Sequence, residues 1–180
     1  YVVTPSKCAY IGMDAVLKSY EERFVLCEGV QKLDDELTVF SAVPGRELWS
    51  GANDTLREKV GEDYPRDTFR HEQDLLVTEN GRTALFAGCA HCGIVNILKS
   101  AEEVLGRAPD AVFAGFHLYN PSLAASEPDA LVDAVGEKLR EDKVAHYFTG
   151  HCTGKEAYAR LKAKLGARLN EMPAGADFTL

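Results

Sequence analysis

The chain has 180 residues, 46% apolar and 27% charged, which is enough apolar mass for one globular domain with a real core and too little for two. A net charge of -8 with no basic run argues against nucleic-acid binding. No apolar stretch approaches the ~20 residues that cross a bilayer, and no charged-then-apolar leader opens the chain, so a soluble, cytoplasmic protein without a membrane partner is expected.

Tyr1 to Gln31 has no clean period beyond a short strand at Tyr1-Val2-Val3. Glu36 to Phe40 alternates apolar and polar behind the turn Asp34-Asp35 and reads as a strand with one wet face. Arg46 to Arg70 is polar, holds the single Trp49, and reads as a variable inserted loop with one helical turn. Asp74 to Thr78 and Arg82 to Ala87 form a hairpin, because Asn80-Gly81 supplies the positive backbone angles a tight turn needs. Ile94, Ile97, Leu98, Ala101, Val104 and Leu105 recur at helical spacing and stop at Gly106. Asp110 to Gly115 reads as a buried strand. A helix capped by Ser126 then runs through Leu131, Val135 and Leu139, and Val144 to Phe148 is another strand. A last helix starts at Thr153, with Thr153 and Glu156 as a capping box, and buries Ala157, Leu161 and Leu165. Strands alternating with helices make an α/β layered fold.

Five cysteines, an odd number in a chain of this size, are expected to be free thiols. Three histidines follow three different strands, each beside glycine: Gly88-Cys89-Ala90-His91-Cys92-Gly93, Gly115-Phe116-His117 and Gly150-His151. In α/β sheets the strand ends that feed helices form the rim where ligands bind, and glycine lets backbone approach a ligand. Imidazole is the commonest zinc ligand and also suits iron and other divalent ions, so a metal site is the hypothesis. His146 lies inside a strand and reads as structural or surface-facing. His71 either lines the same rim and meets substrate or caps the hairpin strand.

His71-Glu72-Gln73 before the hairpin, Ala87 to Asn96 around His91, Gly115-Phe116-His117 and Gly150-His151-Cys152-Thr153-Gly154 resemble, in order, the motifs of the metallo-β-lactamase fold superfamily. The branch resembled includes the archaeal dihydropterin ribofuranosylaminobenzene phosphate synthase-like proteins. The resemblance runs from Phe69 to Gly166. It implies an αββα sandwich with a divalent metal, zinc first and iron or manganese as alternatives, at the edge between two sheets. It implies His91 and His151 as metal ligands. His117 stands where many relatives carry a bridging Asp and is implied as a ligand or as a catalytic contact to substrate. Cys89 and Cys152 would then pack beside the metal. The implied reaction is attack on an ester or phosphoryl group of a small molecule by hydroxide that the metal generates.

The superfamily's His-x-His-x-Asp-His motif has no counterpart here. The expectation is therefore a single partial domain spanning residues 1–180, the C-terminal part of such an enzyme. By itself it would bind metal weakly and not turn over, and it would need the missing N-terminal half or a partner chain to cover its sheet. Two other readings stand beside this one. Cys89 and Cys92 form a Cys-x-x-Cys before a helix, as in thiol–disulfide oxidoreductases, although a hairpin precedes the motif and Pro121 lies in a helix-free loop. The chain could also be a catalytically dead binding module.

Overall fold

The computed structural model describes residues 1–179. In chain order the elements are β1 (Val2–Thr4), β2 (Lys7–Ala9), β3 (Gln31–Lys32), β4 (Leu37–Ser41), β5 (Gln73–Glu79), β6 (Arg82–Phe86), α1 (Ile94–Leu105), β7 (Ala111–Phe113), β8 (Tyr119–Asn120), β9 (Ala125–Ser126), α2 (Asp129–Glu141), β10 (His146–Thr149), α3 (Lys155–Leu165) and β11 (Leu169–Glu171). Seven strands make one mixed sheet in the order β11-β10-β7-β6-β5-β4-β3. Strands β6, β7, β10 and β11 run parallel, and β3 to β6 pair antiparallel. The parallel half brings the C-terminal ends of β6, β7 and β10 to one edge, where the loops carrying His91, His117 and His151 begin. No described helix is long and apolar enough to cross a membrane.

Local chemistry explains the elements. Asn80 and Gly81 both take positive φ, +51° and +77°, which sets the tight β5–β6 turn. Gly106 ends α1 in the left-handed conformation, with its amide bonded to Glu102 O. One face of the sheet presents Leu76, Leu85, Val112, Tyr147 and Leu169 in register, each 0–1% exposed. These residues share a single core with Ile97 and Ala101 of α1, Val132 and Leu139 of α2, and Leu161 of α3. The strand that would show a wet face, β4, instead buries Phe40 in this core and leaves Val39 half-buried on the opposite face.

Two capping expectations are corrected by packing. Helix α2 starts at Asp129 behind Pro128, not at a Ser126 cap; the Ser126 hydroxyl donates to Glu156 at 2.8 Å. The capping box at the last helix does not form, because Thr153 Oγ1 accepts the Phe116 amide at 3.0 Å and bonds Thr149 Oγ1 at 2.6 Å, leaving Gly154 to open α3. In residues 46–70 the one helical turn, Gly51–Thr55, buries Ala52, Asn53 and Thr55, and Phe69 joins the core, while Lys59 to Asp63 are exposed. A hydrogen bond to a distant loop outweighs a local cap wherever it satisfies a more deeply buried donor.

Candidate functional site

Three loops stitch together at the sheet edge through backbone bonds. Gly115 donates to Gly88 O at 2.8 Å, and Leu118 donates to Cys152 O at 3.0 Å. Gly115 is required there, since a Cβ would lie 2.5 Å from Cys152 Sγ. His117 and His151 both hold left-handed backbone, φ +47° and +49°, and Ala90 and Phe69 do the same at +56° and +53°. For an L residue this conformation costs roughly 1–2 kcal/mol, and such strain concentrates where backbone is aimed for function.

His91 is fastened from several sides. The carboxylate of Glu72 accepts the His91 amide at 2.6 Å and the Cys92 amide at 2.8 Å. Asn53 donates to His91 O at 2.9 Å and its Oδ1 lies 3.3 Å from His91 Nδ1. The ring stacks on Phe69, centroids 4.8 Å apart and nearly parallel. Asn96, on the first turn of α1, ties the loop to the 46–70 segment by donating to Cys92 O and Glu47 O and accepting the Glu47 amide.

His117 packs its ring edge-on against His91, centroids 4.2 Å apart. It is only 6% exposed, and neither ring nitrogen has a hydrogen-bond partner. Burial, and then the neighbouring His91, hold its pKa at about 4, so the ring is neutral and one nitrogen carries a free lone pair in the physiological range. Its carbonyl accepts the Ser50 hydroxyl at 2.6 Å. His151 is exposed and opens onto a cleft of about 990 Å³ walled by Tyr119, Thr149, Lys155, Tyr158 and Glu171.

The Cys89 thiol is held far below the usual range by a hydrogen bond from Cys152 and by His91, and the Cys152 thiol is pushed up correspondingly. Cys92 is different. It is buried, its sulfur faces Phe69 O at 3.7 Å, and burial beside Glu72 pushes its thiol up. All five cysteines are free. The two cysteines of the Cys-x-x-Cys stretch meet different surroundings: Cys89 lies beside Cys152 and His91, and Cys92 beside Phe69 and Glu72. His146 is exposed at the start of β10. His71 is largely exposed, 3.8 Å from Asp67, with its ring 6.3 Å from that of Phe69, the ring on which His91 stacks.

The donor set is imidazole, and the unpartnered His117 ring against His91 is the chemistry a divalent metal uses. Among the described residues, however, no group of three or more His, Cys, Asp or Glu side chains is arranged to hold an ion. Of the three histidines named from the sequence, the rings of His91 and His117 meet; Glu72 in its clamping role, Asn53 and Asn96 were not among the candidates. The only local signal was polar residues beside buried loops, and their partners lie as far as 49 residues away.

No family model matches the chain. A stretch of 83 residues is 34% identical to the 7,8-dihydropterin-6-methyl-4-(beta-D-ribofuranosyl)-aminobenzene-5'-phosphate synthase of Methanocaldococcus jannaschii, covering 46% of this chain and 26% of that protein. The crystal structure of Tm1679, a metal-dependent hydrolase of the β-lactamase superfamily, superposes with a TM-score of 0.67 and 20% identity over 86% of this chain and 57% of that one. A metallo β-lactamase from Erythrobacter litoralis superposes at a TM-score of 0.32, too loosely to bear on the architecture. The chain spans less than two thirds of the length of each of these proteins. The mixed sheet, its helical cover and this superposition together give the chain the metallo-β-lactamase fold.

Proposed function

We propose that the chain is part of a metal-dependent hydrolase, in which His91, His117 and His151 contribute imidazoles to a divalent-metal centre completed by ligands from outside the described residues. The observation that carries this reading is His117. A buried imidazole with neither nitrogen bonded costs about 1–3 kcal/mol, and a metal or a substrate oxygen would satisfy it. Zinc is the first choice for such donors, with iron or manganese as alternatives. When bound, the ion polarises an ester or phosphoryl oxygen and lowers the pKa of water toward ~7.

The chain's own residues have separable tasks. Glu72 and Asn53 hold the His91 loop. His117, neutral and enclosed, ligates or orients an oxygen. The cleft beside His151 admits a small molecule between the rings of Tyr119 and Tyr158, with the Lys155 ammonium available to an anionic group. The product named for the Methanocaldococcus jannaschii relative carries a phosphate, which supports a phosphorylated small molecule as the substrate class here.

A partner or further segment is part of the same reading. The sheet face opposite the helices carries Val39, Leu75, Phe86, Phe113 and Phe148 in one row, and Phe86 is 41% exposed. Calorimetric titration of the chain with zinc tests the proposal. The expected result is binding weaker than about 1 μM that disappears in His117→Phe, with no hydrolysis of p-nitrophenyl phosphate esters. Equal affinity in the variant, or turnover by the unaided chain, would overturn it.

A further inference from the structure

The loops after β6 and β10 meet at sulfur as well as at backbone. Cys152 Sγ donates to Cys89 O at 3.5 Å, which brings the Cys152 sulfur against the Cys89 loop. The Cys152 sulfur and the Cys89 backbone both crowd the place where residue 115 has no side chain: a Cβ there would lie 2.5 Å from Cys152 Sγ and 3.5 Å from Cys89 Cα. Cys89 is half-buried, whereas Cys152 is 8% exposed. A half-buried thiol with a more enclosed second thiol beside it is the arrangement of an attacking and a resolving cysteine. Cys92, the sequence neighbour, is turned toward Phe69 and takes no part.

We propose that Cys89 and Cys152 form a reversible disulfide, a modification site that takes hydrogen peroxide and joins the loop of His91 to the loop of His151. The Cys89 sulfur attacks the peroxide O–O bond, which breaks to release water and leaves a sulfenic acid on Cys89. The Cys152 sulfur then displaces that hydroxyl, forming the S–S bond and releasing a second water. The peroxide is reduced, the two thiols are oxidised, and their two protons leave in the water. The bridge removes the Cys89 thiol from His91 and fixes the spacing of two of the three histidine loops. The proposal needs no bound metal, so it stands or falls apart from the hydrolase reading.

The experiment treats the reduced, metal-free chain with hydrogen peroxide, alkylates the remaining thiols, and maps peptides by mass spectrometry. The expected product is lighter by two hydrogens, links the Cys89 and Cys152 peptides, leaves Cys8, Cys27 and Cys92 alkylated, and reverts with dithiothreitol. Cys92→Ala should keep the link, while Cys152→Ser should lose it and leave a dimedone-reactive sulfenic acid on Cys89. A bridge through Cys92, over-oxidation of Cys89 with no bridge in the wild type, or full alkylation of both cysteines would overturn the proposal.

Discussion

The two faces of the seven-stranded sheet are built from the same strands and treated differently. On one, Leu76, Leu85, Val112, Tyr147 and Leu169 lie under three helices and are sealed from water. On the other, Phe86, Phe113 and Phe148 stack at 4.8 and 4.5 Å, and Phe178 covers only the Phe113–Phe148 end. Adjacent residues such as Leu85 and Phe86 are therefore both apolar, which is how strands read when both faces are meant to be buried. The sealed face carries most of the apolar burial; the open one leaves Phe86 exposed and Phe113 half-buried.

The sharpest challenge to the sealed face is Asp74, which points into it at 1% exposure with both carboxylate oxygens unpartnered. Burial, and then Glu72, raise its pKa to about 8. A raised folded-state pKa means that stability is fully present below the unfolded value near 4 and is lost as pH rises through about 8. Asp74→Asn should remove that slope and stabilise the chain at pH 7 by up to about 4 kcal/mol, read from urea melts between pH 4 and 8. A variant with the wild-type slope would show that Asp74 is paired.

Truncating the neighbours separates the faces directly. Leu85→Ala should cost about 3 kcal/mol in a denaturant melt, because the helices cannot collapse onto the lost volume. Glu72→Gln, at the edge between the two faces, should cost about 2 kcal/mol, since a charged acceptor of two amides becomes a neutral one. It should also weaken zinc binding roughly tenfold through the displaced His91 loop, by the same calorimetry used for the wild type. Phe86→Ser should change stability by less than about 1 kcal/mol while reducing self-association in gel filtration. If Phe86→Ser melts as badly as Leu85→Ala, the open face is already covered and the comparison fails.

The fold was legible where periodicity and turn chemistry are local. The Asn80-Gly81 hairpin and the apolar stripe of α1 ending at Gly106 behave as their residues dictate. It was misread where a side chain had a better distant partner. Thr153 and Ser126 look like caps in a window of four residues, but in the fold they serve Phe116 and Glu156. The edge strands β3 and β11 and the pair β8–β9 are too short to leave a pattern.

By itself the amino-acid order determined the longer strands and the three helices, and that three glycine-flanked histidines follow three of those strands. It did so because period, turn angles and backbone freedom are properties of neighbouring residues. Only the tertiary structure decided that His91 and His117 touch, that Cys152 lies against Cys89 while Cys92 faces Phe69, and that Glu72 clamps the central loop. Those pairings join residues tens of positions apart, and their energies arise from burial and from satisfying enclosed polar groups, which no short stretch of chain can specify.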